Sequence, residues 1–286
     1  MVSAGRINEV LETDPKIKDK DKTKEFKEDK KGYVEFKDVS FHYPDADTEI
    51  LNDITFTAEP GKTTAIIGST GSGKSTLINL IPRFFDVSRG SILVDGVDIR
   101  DVKQHDLCEK IGYVPQKGVL FSGTIASNLR FGRRDATDAE IAEAAEIAQA
   151  TEFIEEKSDK YESPIAQGGT NVSGGQKQRL AIARAIAKNP KIFVFDDSFS
   201  ALDLKTDAAL RKALAEKVKD STVIIVAQRI STILHAEQIL VLDEGRIVGR
   251  GTHEELLENC EVYRQIAKSQ LSAKELGIED DGKEEA

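Results

Sequence analysis

A glycine-rich stretch, GSTGSGKST at residues 68–76, contains the residue types that can hold a phosphate chain. It follows the apolar run TTAII and precedes the helical pattern TLINLIPRFF, so we expect it to connect a strand to a helix. Gly71 and Gly73 allow the backbone to curl so that its N–H groups point at phosphate oxygens, and the following helix adds its positive end. Lys74 would then supply a positive charge to the β- and γ-phosphates, and Ser75 a hydroxyl to Mg²⁺. The stretch predicts a site for a nucleoside triphosphate, because an incidental glycine-rich turn would not combine this pattern with this setting.

Two consecutive acids raise a second chemical question, because they follow the apolar strand pattern of KIFVFDDSFSALD at residues 191–203. An uncompensated buried charge is expensive, so Asp196 and Asp197 must bind something at the strand end. We expect Asp196 to lie beside the phosphate loop and to orient the Mg²⁺ shell. Without that loop, Asp196 would fit an ordinary capping acid in a turn equally well. Whether the carboxylate of Asp197 reaches far enough for chemistry depends on its neighbours.

These side chains need a framework of strands and helices, and the sequence predicts one in which the two alternate. Apolar and polar residues alternate from residue 33 to residue 41, which indicates a half-buried strand. Other strand candidates are TTAIIG (63–68), SILVDG (91–96), IGYVPQ (111–116), KIFVFDD (191–197), STVIIVAQ (221–228) and a hairpin, QILVLDEGRIVGRG (238–251), turned at Glu244-Gly245. Helical patterns cover residues 136–157 and 173–190. Strands that alternate with helices predict an α/β domain with a mainly parallel sheet.

Length and composition limit the classes of protein that fit. The 286 residues suffice for one large domain or two small ones with a sizeable core. A formal net charge of −10 argues against a nucleic-acid-binding surface. Cys108 and Cys260 are far apart and match no metal-binding spacing, so we interpret both as reduced thiols of a cytosolic protein. No apolar run approaches the roughly 20 residues that would span a bilayer, and the N-terminus lacks an apolar signal region.

The two ends of the chain differ in composition from its middle. Residues 4–11 place apolar side chains at helical spacing, which is typical of the last turns of a helix. Residues 14–31 are almost wholly charged, and we expect a solvated, mobile linker there. Residues 272–286 end in IEDDGKEEA and are expected to form an acidic, disordered tail.

A third motif indicates a family. The segment NVSGGQKQR, residues 171–179, closely resembles the signature motif of ABC transporter ATPase domains. Other elements follow in the order that this family uses. Tyr43 resembles the aromatic residue that stacks on adenine, and Gln116 resembles the glutamine that links Mg²⁺ to the transmembrane partner. SALD at residues 200–203 resembles the loop that crosses the dimer interface, and the whole resemblance covers about residues 33–270.

The resemblance implies the fold and its subdivision. The fold is that of a P-loop NTPase (RecA-like): an α/β domain with a mainly parallel sheet core, an antiparallel β subdomain and an inserted α-helical subdomain. The nucleotide-binding domain would span residues 32–271, with the helical subdomain at about residues 117–187. Residues 1–31 would be the end of the last transmembrane-domain helix and the charged linker.

The resemblance also implies which residues bind the cofactors, ATP and Mg²⁺. The metal site would involve Ser75, Gln116 and Asp196, and the residues that act in catalysis would be Asp197 and Gln228. The nucleotide would be bound by Tyr43, Gly68, Ser69, Thr70, Gly71, Ser72, Gly73, Lys74, Ser75, Thr76, Gln116, Ser173, Gly174, Gly175 and Gln176.

The signature motif is expected to act on a partner rather than on this chain's own phosphate loop. Ser173, Gly174 and Gly175 open a helix, so free N–H groups and the positive helix end form an anion site. An ordinary serine N-cap would explain Ser173 but not the two glycines. The resemblance implies that this site caps the γ-phosphate held by a second ABC nucleotide-binding domain, with two ATP molecules between the domains.

The spacing between motifs favours one branch of the family. From Gln116 to Ser173 there is room for a small helical subdomain, but not for the long coiled-coil arm of DNA-repair and chromosome-organising relatives. GTIASNLRFG at residues 123–132 and AQGGTNVSGG at residues 166–175 resemble exporters more than importers. In exporters the ATPase follows a membrane domain on the same polypeptide. The resemblance therefore implies an excised ATPase domain that works at the cytoplasmic face of the cell membrane with transmembrane domains as partners.

Two departures from the family pattern fall on the same site. Asp197 stands where strongly hydrolytic members have a glutamate that serves as general base, and its side chain is about 1.5 Å shorter. Gln228, in VIIVAQRIST, stands where the family has a histidine, and a glutamine cannot become cationic near neutral pH. Gln167 likewise stands where exporters often have glutamate. His253, in GTHEELL, is expected only to cap the following helix.

The departures predict one half of a heterodimeric exporter of the multidrug type. This chain's own site would bind ATP and hydrolyse it weakly, while its signature motif would complete the active site of the partner. Two alternatives stay open: a fully active homodimeric exporter ATPase, and a regulatory module that binds ATP without hydrolysing it. Robust turnover by the pure chain would support the homodimer, and adding a partner domain that carries glutamate and histidine at these two places separates the regulatory module from the heterodimer. The transported substrate would be selected by the membrane domains.

Overall fold

The computed structural model describes residues 2–12, 15–26, 31–44 and 46–271. Within them the chain forms a six-stranded sheet, a four-stranded sheet and a two-stranded pair, with helices packed around them. In the same ranges no helix has both the length and the apolar character required to cross a bilayer.

The bounds of the elements are as follows. The strands, in chain order, are β1 (Val34–Phe41), β2 (Leu51–Ala58), β3 (Thr63–Ile67), β4 (Arg89–Val94), β5 (Val97–Asp98), β6 (Ile111–Val114), β7 (Gly123–Thr124), β8 (Pro164–Ile165), β9 (Ile192–Asp196), β10 (Thr222–Val226), β11 (Gln238–Asp243) and β12 (Arg246–Gly251). The α-helices, in chain order, are α1 (Val2–Leu11), α2 (Lys74–Asn79), α3 (Gln104–Lys110), α4 (Ile125–Arg130), α5 (Asp138–Ile147), α6 (Thr151–Glu155), α7 (Gly174–Lys188), α8 (Leu204–Lys217), α9 (Ile230–Ile233), α10 (His253–Asn259) and α11 (Glu261–Gln270).

The six-stranded sheet determines where the chemical motifs lie. Its strand order is β12-β11-β3-β10-β9-β6, and all neighbours are parallel except β11 and β12, which form the predicted hairpin. β3, β10 and β9 are adjacent, so the loops that follow Ile67, Val226 and Asp196 leave the same edge of the sheet. Ligands of such sheets bind in the crevice outside the carboxyl ends of the strands. The phosphate loop and the two aspartates therefore meet at one edge.

Side chains from the two faces of this sheet fill separate cores, which explains why its central strands β9 and β10 are buried throughout. On one face, Phe193 and Phe195 pack with the helices. On the other face, Ile66 and Val194 pack with the antiparallel sheet, whose strand order is β2-β1-β4-β5. The strand candidate SILVDG forms β4 of that second sheet. The sequence could not assign it to one of the two sheets, because a short apolar run fits a parallel and an antiparallel sheet alike. The predicted combination of a mainly parallel core, an antiparallel subdomain and a helical insertion is confirmed.

Two predicted helices differ from their sequence patterns at their ends. α2 stops at Asn79 rather than continuing through the apolar run, and Arg83, just after Pro82, has a φ angle of 58°. The pattern over residues 136–157 forms two helices, because Gln149 adopts a φ angle of 56° and interrupts it. The long helix that was predicted over residues 173–190 is present as α7, capped by Ser173.

The part of the charged segment that the structure describes, residues 15–26, lies on the domain surface and makes several contacts there. Residue 14 and residues 27–30 lie outside the described residues. Asp101 accepts hydrogen bonds from the ammonium groups of Lys20 and Lys24, the latter over 2.7 Å. These two lysines lower the pKa of Asp101 to about 2. The carboxylate of Asp19 accepts from the N–H of Gln104 (2.9 Å), the first residue of α3. Asp19 thus caps a helix whose own N-cap side chain makes no such bond.

The end of the same segment is also held. Phe26 packs on the core beneath the antiparallel sheet, and the ammonium group of Lys110 lies 4.7 Å from the centre of its ring. Lys110 donates in addition to the fully buried carboxylate of Asp95 over 2.8 Å. Asp95 accepts further bonds from the N–H groups of Gly32 (2.6 Å) and Tyr33 (3.1 Å). We call residues 15–26 the strap.

Candidate functional site

The phosphate loop connects β3 to α2, as the sequence predicts. Gly71 and Gly73 adopt φ angles of 86° and 99°, in the left-handed region that glycine enters without strain. Lys74 Nζ folds back into the loop and donates to the carbonyl oxygens of Gly68 (2.9 Å) and Ser69 (2.6 Å). The loop therefore wraps around an ammonium group whose closest partners are neutral carbonyls.

The ammonium group of Lys74 is poorly solvated at this position. Burial lowers its pKa, and the carboxylates of Asp197 and Asp196 oppose that effect. A phosphate group placed in the loop would supply the negative charge that the carbonyl partners do not. The electrostatics of the loop thus favour an anionic ligand.

Asp196, the last residue of β9, faces the phosphate loop through Ser75. Ser75 Oγ donates to Asp196 Oδ1 over 2.9 Å. Asp196 is only 8% exposed, and burial raises its pKa, while the Ser75 hydroxyl lowers it. A hydroxyl and a carboxylate are the hard oxygen ligands that Mg²⁺ prefers, and a cation would stabilise the charged form of this buried group. The pair therefore fits a divalent metal ion.

Asp197 lies in the turn after β9, and two side-chain amides hold its carboxylate. Its backbone has a φ angle of 45°, and its N–H donates to Val226 O of β10 over 2.9 Å. Gln228 Nε2 donates to Asp197 Oδ2 over 2.8 Å, and Gln116 Nε2 donates to the same oxygen over 3.2 Å. The two departures from the family pattern, at positions 197 and 228, are therefore in direct contact. In this state the amide of Gln116 binds Asp197 rather than the Asp196–Ser75 pair.

An aromatic residue closes the opposite end of the site. Tyr43 packs edge to face against Phe41 and Phe85, with ring centres 5.0 Å and 5.2 Å away. Its hydroxyl lies 3.1 Å from Thr76 Oγ1, on the first turn of α2. These contacts fix the ring at the wall of a cavity, where an aromatic side chain can stack on a flat heterocycle.

These residues surround one cavity of about 350 Å³. Most of the residues predicted from the sequence line it together, and they are joined by two apolar residues that the motifs did not indicate. The lining residues are Tyr43, Ile50, Thr70, Gly71, Gly73, Lys74, Ser75, Thr76, Gln116, Asp196, Asp197, Val226 and Gln228. Ile50 precedes β2 and Val226 ends β10, and an isolated apolar residue beside a strand carries no signal of a ligand.

The signature motif lies outside that cavity. Ser173 Oγ accepts from Gln176 N (3.2 Å) and Gln176 Oε1 accepts from Ser173 N (3.0 Å), which forms a capping box. The side chain of Gln176 is therefore used within its own helix rather than on a nucleotide of this chain. A side chain added at Gly174 would meet no atom within 4 Å, so the start of this 15-residue helix is open. The capping box leaves the N–H groups of Gly174 and Gly175 at this open helix start, where an anion could bind.

A buried glutamine, which sequence reasoning missed, joins α7 to the loop that carries Gln116. Gln178 is 1% exposed; its Oε1 accepts from Gly118 N (2.8 Å) and its Nε2 donates to Pro115 O (3.1 Å). Two hydrogen bonds thus attach the loop to α7. A helical pattern shows only that this position faces the core, and the polar partner lies far away in sequence.

A second groove, of about 320 Å³, lies between α3 and α7. Phe84 and Phe131, which line it, are 50% and 63% exposed. Arg184 lies at its base, over the ring of Phe131 (5.8 Å), and burial lowers its pKa to about 10. Lys188 is beside it and donates to the carbonyl oxygen of Cys108 over 2.7 Å. The groove therefore combines exposed aromatic rings with two basic side chains and one acidic side chain, that of Glu109.

The expected role of His253 is corrected by the structure. Thr252, not His253, caps α10, and its hydroxyl accepts from Glu255 N. His253 Nδ1 instead lies 2.7 Å from the hydroxyl of Tyr263 on α11, and burial lowers the pKa of the imidazole. His253 therefore joins α10 to α11.

Comparisons with known proteins agree on one family. Residues 51–200 match the family model described as ABC transporter. An uncharacterized ABC transporter ATP-binding protein of Mycobacterium tuberculosis is 49% identical over 281 residues, which are 97% of this chain and 48% of that protein. A putative multidrug export ATP-binding/permease protein of Staphylococcus aureus is 46% identical over 237 residues, which are 83% of this chain and 41% of that protein.

A solved structure is similar over nearly the whole chain. It is that of a bacterial Atm1-family ABC exporter with ATP bound, with a TM-score of 0.88 and 36% sequence identity. The similarity covers 95% of this chain and 47% of the exporter chain. This chain spans about half the length of the solved exporter and slightly less than half that of the two curated relatives.

Proposed function

This chain belongs to the ABC transporter family as an ATP-binding domain, and we propose that it binds Mg²⁺-ATP in the 350 Å³ cavity and helps to power export across a membrane. The observation that supports this most directly is the convergence of Lys74, Asp196 and Tyr43 on one cavity. They provide a cation for phosphate, a carboxylate for the metal and a ring for the base. Similarity to an exporter and to a putative multidrug export protein supports export as the process.

Each part of the nucleotide has its own partner in this proposal. The adenine stacks on Tyr43, and the β- and γ-phosphates lie in the loop of residues 68–76, where Lys74 exchanges its carbonyl partners for phosphate oxygens. Ser75 and Asp196 hold Mg²⁺, with Gln116 as a further ligand once it releases Asp197. When bound, the metal ion neutralises charge on the phosphates.

Asp197 is the candidate general base for hydrolysis. Both amides bind Oδ2, and Oδ1 takes part in neither bond, so Oδ1 is the atom that would accept a proton from the attacking water. A base must come within about 2.6–3.2 Å of its water. The short side chain makes that approach difficult, and the neutral Gln228 adds no positive charge. We therefore infer that this site binds ATP and hydrolyses it slowly.

The open start of α7 implies a second ABC nucleotide-binding domain as partner. No residue from Ser173 to Gln176 lines this chain's own cavity, and the N–H groups of Gly174 and Gly175, which the capping box does not use, lie at the open start of the helix. We infer that this site binds the γ-phosphate of ATP held by the partner domain. A slow site in this chain and an intact signature motif together favour a heterodimer in which the partner's phosphate loop forms the faster site.

A transmembrane domain is the further partner that we propose, at the groove between α3 and α7. Exposed aromatic rings at its rim would bury apolar surface on contact, and an acidic group on the partner would compensate Arg184 and Lys188. Relatives of this chain are about twice as long, which leaves room for such a domain in them. The chain would then act at the cytoplasmic face of the cell membrane.

The proposal is tested by titrating the chain with Mg²⁺-ATP in a calorimeter. Lys74→Ala removes the ammonium group from the loop, and we expect affinity to fall about 10- to 100-fold, since a hydrogen bond to a charged group contributes about 1.5–3 kcal/mol. Lys62→Ala is the matched control, because Lys62 is an exposed lysine that pairs with Glu59 outside the cavity. Equal affinity of Lys74→Ala and the control would show that the phosphate loop is wrongly assigned.

A further inference from the structure

The last residue of α11 reaches back to the loop that delivers Gln228 to the site. Gln270 Nε2 donates to the main-chain oxygen of Gln228 over 2.8 Å. Gln270 Oε1 accepts from the N–H of Ile230, also over 2.8 Å. One side-chain amide therefore binds a main-chain oxygen and a main-chain N–H group of a loop that lies about 40 residues earlier in the sequence.

The loop between β10 and α9 needs such a partner. α9 has only four residues, and its N-cap, Arg229, makes no side-chain capping bond. The N–H of Ile230 would therefore lack a partner at the start of the helix. Gln270 Oε1 supplies a partner for this N–H, and Gln270 Nε2 binds the main-chain oxygen of Gln228, two residues earlier.

The contact continues to the candidate base. The main chain of Gln228 is held by Gln270, while its side chain donates to Asp197 Oδ2 over 2.8 Å. A shift of the peptide at residue 228 would carry that amide away from the carboxylate. At the other end, Tyr263 and Ala267 of α11 are fully buried, so the helix that bears Gln270 is itself fixed in the core.

We propose that Gln270 is a positioning residue for ATP hydrolysis: it holds the 228–230 loop so that the amide of Gln228 stays on Asp197. This rests on the proposed function, because the position matters to a reaction only if Asp197 acts on water beside bound ATP. In this proposal Gln270 contacts neither the nucleotide nor the attacking water. Through this one residue, α11 would affect the rate of hydrolysis at the site.

The chemistry of the contact requires both a donor and an acceptor, which allows a selective change. Gln270→Glu keeps an acceptor for Ile230 N but replaces the donor by a second oxygen, which would face the carbonyl oxygen of Gln228. Gln270→Ala removes both bonds. Gln265→Ala is the matched control, because Gln265 lies on the same helix and bonds only to Glu261 within it, over 3.2 Å.

The first measurement follows the side-chain amide of Gln228 by NMR in the ATP-free chain labelled with ¹⁵N-glutamine. The signal is assigned by its loss in Gln228→Ala. Asp197→Ala removes the acceptor, and the resulting displacement marks the unbound amide. We expect Gln270→Glu and Gln270→Ala to displace the signal in the same direction and Gln265→Ala to leave it in place. An unmoved signal in both Gln270 variants overturns the proposal.

The second measurement separates the proposal from the function on which it rests. Calorimetry on the chain gives the affinity for Mg²⁺-ATP. The rate comes from single-turnover hydrolysis with protein in excess, after the chain is paired with a second ABC domain whose own catalytic glutamate is replaced by glutamine. We expect Gln270→Glu to bind ATP as the original chain does and to hydrolyse it about 3- to 10-fold more slowly, which corresponds to one or two hydrogen bonds. Gln265→Ala should match the original chain in both.

The outcomes are distinguishable. If the original chain binds no ATP, the proposed function fails, and the amide signal still decides whether Gln270 holds Gln228. If the original chain binds and hydrolyses ATP and Gln270→Glu does both equally well, the positioning role alone is overturned. A loss of ATP affinity equal to the loss of rate would also overturn it, since that marks a general change in the domain rather than a displaced Gln228.

Discussion

Lengthening the candidate base by one methylene group is the most direct test of why this site should be slow. Asp197→Glu extends the carboxylate by about 1.5 Å, one C–C bond. In the structure, the carboxylate of Asp197 accepts hydrogen bonds from two side-chain amides, that of Gln228 over 2.8 Å and that of Gln116 over 3.2 Å. A longer side chain can reach past these donors towards the water.

The expected gain is the difference between two effects. A reacting group misplaced by about 1 Å can cost about 100-fold in rate, which sets the most that the extension could recover. Against this, residue 197 has a φ angle of 45°, and aspartate occupies the left-handed region more readily than glutamate because its short side chain can hydrogen-bond locally. That preference and the displaced bond to Gln228 each offset part of the gain. We expect a net increase on the order of 10-fold, or about 1.4 kcal/mol of barrier.

The assay pairs the chain with a second ABC domain whose own catalytic glutamate is replaced by glutamine, so that background hydrolysis is low. Single-turnover release of phosphate is compared for the original chain, Asp197→Glu, Gln228→His, and Asp197→Glu with Gln228→His. The double variant should exceed the product of the single changes, because the two residues are in contact and act on one transition state. Asp197→Asn is the matched control; it keeps the size of the side chain and tolerates the same backbone conformation.

Two results would refute this reasoning. If neither the single nor the double variant is faster than the original chain, with the partner's signature motif set to SGGQ, then reach and the missing histidine do not limit the site. If Asp197→Asn hydrolyses ATP as fast as the original chain, Asp197 is not the base. Either result would remove the support for the proposed heterodimer, in which this chain's ATP site is slower than the partner's.

Three further predictions concern other parts of the domain. Tyr43→Ala should weaken binding of ATP and ADP in calorimetry but leave inorganic tripolyphosphate unaffected, because the ring contacts only the base; equal losses for all three ligands would contradict this. A Cβ atom at residue 174 would lie in open space, so Gly174→Asp should leave the domain folded. Its carboxylate at the start of α7 should nevertheless abolish ATP-dependent association with the partner, as measured by sedimentation. Unchanged association would contradict the proposed anion site. The carboxyl group of Asp101 should titrate in NMR near pH 2 rather than 3.8. Its contacts with the two lysines therefore stabilise the docked strap fully above pH 3.8, and this stabilisation is lost as the pH falls towards 2. A titration midpoint near 3.8 would show that the strap is free.

The sequence predicts well whatever depends on short spacing. The phosphate loop, the strand before it and the helix α7 follow from residues that are close together, and the family resemblance drawn from them is confirmed by the family model and the relatives. The place of Asp196 beside Ser75 is predictable too, because parallel strands bring their carboxyl ends together.

Contacts between distant residues could not be predicted in this way. Lys24 and Asp101 are 77 residues apart, and a charged stretch is compatible with a free linker as well as with a docked one. The capture of Asp197 by Gln228 depends on the side-chain orientation in two loops, and the reach of Gln270 depends on where α11 ends. Local periodicity carries no information about such partners.

The strap changes where this domain would be cut for use on its own. Composition alone places the boundary at residue 32, after the charged run. A chain that starts there loses Phe26 from the apolar surface beneath the antiparallel sheet and leaves the N–H of Gln104 at the start of α3 without Asp19. Because α3 also borders the groove with exposed aromatic rings, the damage would extend from the chain terminus to that surface. We therefore expect a domain expressed on its own to be more stable when it begins at residue 15, within a stretch whose composition resembles a spacer, than when it begins at residue 32.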